Sequence, residues 1–450
     1  MLARLRSNGF PILRIGLYVL IAVAILLEAI KPIHRGKDLG VFIHAARLML
    51  EKKNIYQIPT PEGHPYKYPP FYAVLHIPLV FVPVELAVVA WNVFTVVLFS
   101  LSLRWFYEYL TGETFSTLPL KQQWILGTLT TLLCARFVLY HLTLAQANIP
   151  VMALSIWALR CLRQNKAIAG GFWLGLAIAI KLLVAPLAFW LLLQRRVRAL
   201  GGVMLGVAAS VLFPTIVLGV ETNVAYHRDW LQDFFFGKLH RLEEWTDVTN
   251  VSPHVQLYRW FSDAVAFEHN GNPVRLTLWH ISPEMLQLAS ALLTLALLSI
   301  IPLYAFCFRN YSALVREGGG AALVFALIPL LASISQKHYF VLLMPSCLYA
   351  AYLWHLQRLQ SRRFYWLVAL FFATTTLTAD GFCGMYLSQL LTGHGILPFG
   401  VLLMIAALFC AGFDLEKTLH AARSGNGESN LQRAMVASSL IATTKKPTAQ

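Results

Sequence analysis

The chain is a succession of apolar runs joined by short loops in which the cations collect. Most of these runs approach the ~20 residues that a helix needs to cross a bilayer. Repeated from end to end, the pattern fits a bundle of helices in a membrane, where each span satisfies its own backbone hydrogen bonds. Of 450 residues, 58% are hydrophobic and only 13% charged, too little polar surface for a soluble protein of this size. The net charge of +15 does not point to nucleic acid, because the lysines and arginines punctuate the apolar runs and so set topology.

The basic opening, MLARLRSNGFPILR, precedes an apolar stretch that is too long for a signal peptide and is followed by no small-residue cleavage site. Residues 11 to 30 therefore read as an uncleaved first crossing that ends outside. Placing Arg104, Lys121, Arg160, Arg163, Lys166, Arg195, Arg196 and Arg198 in the cytoplasm orders the remaining segments. Residues 69 to 83 return to the outside as a short, proline-bounded re-entrant piece. Crossings then come at 85 to 106, 122 to 141, 148 to 162, 168 to 180, 182 to 194, 199 to 219, 285 to 308, 319 to 334, 339 to 356, 364 to 379 and 396 to 413. The expectation is an all-α polytopic bundle of about twelve crossings occupying residues 1–413. Its first external loop is 31–84, its large external loop is 221–284, and a polar cytoplasmic tail at 414–450 is expected to be disordered. Within the first loop, Val41, Phe42, Ala45, Leu48 and Met49 share one helical face, the pattern of an amphipathic helix lying on the membrane.

On this topology only His355 and His420 of the 14 histidines face the cytoplasm. The ionisable equipment is external, on the side without nucleotides, so a donor for any transfer there has to be carried by lipid. The chain contains no Walker lysine loop, no GxGxxG before a strand and no HExxH. Its six cysteines are scattered, without metal or disulfide spacing. No internal repeat is visible, which argues against an inverted-repeat transporter.

Asp38 stands where the chain leaves the first crossing. Two readings fit it: the base of a transfer reaction at the water boundary, or the cap of the next helix. Lys181, between two half-length apolar segments, is costly there unless it snorkels or meets an anion such as phosphate. Arg136, Lys337 and His338 are further candidates at outward helix ends. For Arg136 the alternative is packing against a neighbouring carbonyl, and for His338 a structural role. Gln146 and Asn148 suit sugar hydroxyls or helix capping, Asn148 as an N-cap with Pro150 behind it. In the large loop, Asn250, His254, Gln256 and Arg259 are possible acceptor contacts. Trp230, Trp245, Trp260 and Trp279 suit sugar stacking or interfacial anchoring.

These residues fall into blocks. Gly36 and Asp38 with Ala45-Ala46, then Asn54-Ile-Tyr56 and Tyr68-Pro69-Pro70-Phe71, resemble the opening of glycosyltransferase family 87, the polyprenol-phosphate-mannose-dependent mannosyltransferases of the GT-C superfamily. Gln146-Ala-Asn148, the Ala-Gly-Gly…Gly-Leu-Ala…Lys181 stretch, Asn250-Val-Ser252 and Lys337-His338-Tyr339 resemble its later blocks, so the likeness runs over roughly residues 30 to 345. The resemblance implies a bundle of GT-C type with an external active site, Asp38 as base, His338 near the site, and inversion at the sugar carbon. The superfamily often pairs two acids at this loop. Here Leu39 comes directly after Asp38, so no metal and no cofactor is expected.

The expectation is an inner-membrane glycosyltransferase with its site on the periplasmic or extracytoplasmic face. It would move a sugar, mannose first, from a polyprenyl-phosphate donor to a lipid or glycan acceptor, with membrane lipids around it and no nucleic acid. Asp38 and His338 would be catalytic. Lys181, Arg136 and Lys337 would bind the donor phosphate, and Gln146, Asn148, Tyr68, Asn250 and Arg259 the sugar or acceptor. The rivals are a transporter or flippase of lipid-linked sugars, which needs ionisable groups near the bilayer midplane, and a non-catalytic partner in envelope assembly.

Overall fold

The computed structural model describes residues 37–237, 245–357, 359 and 361–423. The expected crossing at 11 to 30 and residues 424–450 lie outside these. The described chain is mostly helical. Six of the twelve expected crossings are helices long and apolar enough to span a bilayer: Val84–Thr111, Leu120–Leu144, Val197–Leu218, Pro283–Cys307, Leu314–Leu331 and Ile396–Lys417. Five more are shorter or broken. They are Asn148–Arg163, Ala167–Ile180, Leu182–Leu193, the 3-10 turn Lys337–Leu343 running into Met344–His355, and Arg362–Phe372 with its π turn Ala373–Leu377. Among the described residues, six helices qualify by length and apolarity. Gly320–Leu331 and Met344–His355 are apolar all round and buried along almost their whole length, as helices walled in by other helices are.

The tightest seam joins Ala167–Ile180 to Val197–Leu212. Gly171 meets Ala199 and Gly202, and Gly175 meets Val203 and Gly206. A Cβ on Gly171 would lie 1.9 Å from the Ala199 carbonyl oxygen, and one on Gly202 2.2 Å from that of Ile168. Two facing GxxxG runs thus bring backbone against backbone. The pairing 171 with 202 and 175 with 206 makes the two helices parallel, so Leu182–Leu193 between them carries the chain back. Lys181 therefore sits at the end of the bundle opposite Arg196. Arg160 pairs with Glu108 at the Arg196 end, and Arg196 with Glu317 at 3.0 Å.

Three expectations change. First, the helix Lys37–Leu50 is amphipathic as expected, but its apolar face meets protein: Val41, Phe42, Ala45, Leu48 and Met49 are all buried in the main core, where Phe42 packs edge-on to Tyr68 and Tyr72. Second, the fold is not all-α. An antiparallel hairpin, Val265–His269 with Asn272–Arg275, turns through Asn270 and Gly271, both at positive φ. An Asn-Gly pair between two extended runs is the signal for such a turn, and a purely helical reading of the chain passes over it. Third, the last helix does not stop near 413 but continues to Arg423. Asp414 accepts from the Ser361 hydroxyl and Glu416 from the Ser312 N–H at 3.4 Å, and both tie the extension to the bundle.

The 69 to 83 stretch is a six-residue helix, Pro70–Leu75, and a five-residue 3-10 turn, Ile77–Phe81, each too short to span. The loop it belongs to is fastened to Val220–Asp229 and the residue after it. Asn54 Nδ2 donates to Asp229 Oδ2 at 2.6 Å, the Tyr226 hydroxyl to the Lys53 carbonyl at 2.5 Å, and Trp230 Nε1 to the Lys67 carbonyl at 3.2 Å.

Candidate active site

Leu120–Leu144 ends at Ala145, whose backbone is left-handed (φ 48°, ψ 52°). That conformation costs a residue with a Cβ about 1 kcal/mol. The reversal lets Asn148–Arg163 begin at once and places Gln146 and Asn148, two residues apart, in the turn. Both are buried. Ala147, not Asn148, is the N-cap residue, and the Asn148 side chain is spent elsewhere.

The neighbours of Gln146 fix its amide. Its Oε1 accepts from the Tyr68 hydroxyl and from the Ala147 N–H, each at 3.2 Å. Nε2 must then face the other way, and it donates to Asp38 Oδ2 at 2.6 Å. Burial holds the Tyr68 phenol well above its ordinary pKa, which keeps that hydroxyl a donor. Asp38 lies in the first turn of its helix, but its carboxylate is engaged by Gln146 from 108 residues away. Burial raises its pKa above the usual carboxylate value. The Gln146 hydrogen bond and the charges of Lys181, Lys67 and His64 pull the other way without overcoming it. A carboxylate shifted upward is a better proton acceptor than an exposed one.

Lys181 is the break between two helices, with extended backbone (φ −150°, ψ 111°) that stops Ala167–Ile180 and points the side chain inward. It does not snorkel. Its Nζ donates to Asn148 Oδ1 at 2.7 Å and lies over the ring of Tyr339, 3.9 Å from the centroid. Asn148 Nδ2 in turn donates to the His338 carbonyl at 2.9 Å. The His338 ring is buried, stacks on Tyr140 and meets the edge of Tyr339. Its Nδ1 has no hydrogen-bond partner among the described residues.

Asp38, Tyr68, Gln146, Lys181 and His338 line one cavity of about 430 Å³, within the range of small-molecule sites. The lining is mixed. Lys67, Trp230, Trp245 and Gln336 join the polar groups, with Lys67 Nζ 4.3 Å from the Trp245 ring centroid. Ile180, Leu182, Leu183, Ile328, Leu331 and Ile334 add aliphatic surface, and Phe42, Phe235 and Tyr339 aromatic surface. Among the described residues, no three His, Cys, Asp or Glu side chains gather as metal ligands would.

Four expected contacts are elsewhere. Arg136 donates to the Thr375 carbonyl at 2.9 Å and the Thr378 hydroxyl at 3.0 Å, filling the π turn Ala373–Leu377, where the widened ring frees a carbonyl. Of its two readings, carbonyl packing is the one that occurs. Lys337 opens the 3-10 turn one residue before His338 and does not line the cavity. Asn250 Oδ1 accepts from the N–H groups of Ser252 and Ser335, joining the large loop to the 335 turn. Arg259 is fully buried and donates to the carbonyls of Thr246, Asp247 and Asn250 and to Gln256 Oε1. A buried guanidinium needs its donors satisfied, and these contacts commit Arg259 to holding its loop. His254 bonds Ser290, away from the cavity, while Trp260 and Trp279 do not line it. Lys67, Gln336, Tyr339 and the aliphatic lining are additions that the chain alone does not mark as site residues. Lys67 stands next to Tyr68 in a block already singled out, and that adjacency is the available signal.

The family model for glycosyltransferase family 87 matches residues 66–333, more than half of the chain. The chain belongs to glycosyltransferase family 87. With its long apolar helices it is a membrane glycosyltransferase. No curated protein and no solved structure matches it. The family match takes in Tyr68, Gln146, Asn148 and Lys181 and leaves Asp38 before its start and His338 beyond its end. For those two residues the argument is geometric.

Proposed function

We propose that this family 87 glycosyltransferase moves a sugar, mannose first among the candidates, from a polyprenyl-phosphate donor to the hydroxyl of a lipid or glycan acceptor, on the extracytoplasmic face of the inner membrane. The observation that carries the reading is the mixed lining of one cavity. One Asp and two Lys side chains share it with aromatic residues and with the aliphatic residues Ile180, Leu182, Leu183, Ile328, Leu331 and Ile334. Two cations against one carboxylate suit an anionic headgroup, and the aliphatic lining suits the first isoprene units of its tail.

In the step this implies, Asp38 takes the proton of the acceptor hydroxyl as the acceptor oxygen bonds to the anomeric carbon. The bond from that carbon to the phosphate oxygen breaks, the phosphate leaves with the electron pair, and configuration inverts. Lys181, held by Asn148, faces the charge that collects on the phosphate. His338 borders the same space.

Two results are expected. Protein purified in detergent consumes a labelled polyprenyl-phosphate sugar when an acceptor lipid extract is supplied. A panel of hexose and pentose donors identifies the sugar. Turnover only of nucleotide sugars, or of no donor at all, would defeat the reading. Lys181→Met lowers transfer by about 10²–10³-fold, the usual cost of removing one charge-stabilising donor, and a kcat unchanged at saturating donor would remove Lys181 from the leaving-group role. The direction of the Asp38 shift adds a pH dependence. The base works ionised, so activity rises with pH through its pKa, and the acid limb lies above the ordinary carboxylate range.

A further inference from the structure

We infer that Gln146 and Asn148 are positioning residues that keep Asp38 and Lys181 from pairing with each other, so that acid and lysine both remain available to the substrate. This rests on the proposed transfer reaction and assigns the two amides a task other than touching sugar.

The acid and the lysine line the same cavity, and each is a charge neighbour of the other. In a space of low polarity, opposite charges so placed are drawn into a direct pair. Yet among the described residues no ion pair joins them. Each instead ends on an amide of the same short turn: Asp38 Oδ2 on Gln146 Nε2 at 2.6 Å, Lys181 Nζ on Asn148 Oδ1 at 2.7 Å. Both amides are themselves locked. The Gln146 oxygen is occupied by Tyr68 and Ala147, and the Asn148 nitrogen by the His338 carbonyl. Neither amide can rotate to exchange its donor and acceptor without breaking those bonds. A direct pair would neutralise the base and occupy the cation. The amides hold both groups while leaving the charges uncancelled. The left-handed Ala145 permits this arrangement, since the reversal it makes puts Gln146 within reach of Asp38 and Asn148 within reach of Lys181.

The two amides should have opposite effects on the pH profile of transfer. The other groups around Asp38 are Lys67 and His64 and the phenols of Tyr68, Tyr72, Tyr140 and Tyr339. These are common to all variants compared. Gln146→Met keeps the volume and leaves Lys181 held by Asn148, but removes the hydrogen bond that favours the ionised acid, so the acid limb moves up by about one pH unit. Asn148→Leu releases Lys181 toward Asp38, so the limb moves down by a similar amount. Adding Lys181→Gln to Asn148→Leu abolishes the downward shift.

The experiment is the pH profile of kcat/KM for each purified variant with the labelled donor. Opposite shifts support the inference. If both variants lose activity with the limb unmoved, the amides are merely structural and the inference is overturned while the transfer reading stands. Should Asn148→Leu fail to fold, Asn148→Ala takes its place: a limb that moves down supports the inference and one that does not overturns it. The transfer reading itself is tested separately, through Asp38.

Discussion

Asp38→Asn is expected to fold normally and to lose sugar transfer by about 10²–10⁴-fold, the range typical of removing a general base. The substitution is nearly isosteric, and the new carboxamide oxygen can still accept from Gln146 Nε2, so the packing around residue 38 persists. What disappears is the capacity to take a proton. The remaining activity should no longer show the acid limb that ionisation of Asp38 produces. Thermal unfolding in detergent, with transfer measured on the same preparation, separates loss of chemistry from loss of fold. A folded Asp38→Asn protein with full transfer activity would end the assignment of this residue as base, and with it the proposed mechanism.

The second large effect is expected far from the chemistry. Gly202→Leu should lower stability by about 3 kcal/mol or more, the upper end for overpacking, because what stands in the way is backbone. The added Cβ would lie 2.2 Å from the Ile168 carbonyl oxygen and 3.0 Å from the Gly171 Cα, and neither can swing aside as a side chain would. The helices must separate, and Lys181, one residue beyond Ile180, would be drawn away from Asn148 as well. Gly201→Leu is the matched control, since nothing lies within 4 Å of a Cβ there. Equal thermal shifts for the two variants would show that the seam is not close-packed in the way described.

Some of the site is legible in the chain alone. Asp38 and Lys181 stand out because each is a charge beside an apolar run, where an unpartnered charge is expensive. Gln146 and Asn148 are legible as polar residues at a helix junction, but not in their task. Sequence cannot say whether an amide faces a ligand or another side chain far away along the chain. Arg136, Asn250 and Arg259 are misplaced by sequence for the same reason, since their partners belong to turns whose position depends on the whole bundle. The glycines between 170 and 175 are visible as part of a block. Their use, letting one backbone lie on another, shows only once the partner helix is seen. The amphipathic period of residues 37 to 50 is correct, whereas its expected partner is not, because an apolar stripe suits lipid and protein equally. The aliphatic lining of the cavity is hidden for a simpler reason: leucine and isoleucine are the background of such a chain and mark nothing.

The walls of the cavity are drawn from Asp38 through Tyr339, with the first loop stitched to residues 226, 229 and 230 by three hydrogen bonds. During biosynthesis the chain emerges from its amino end, so the carboxylate is delivered early and waits while the intervening helices are threaded into the bilayer. The wall stays open until the turn at Gln336 to Tyr339 arrives. A nascent protein halted before that point would own the acid and the lysine and still have no chamber in which to use them.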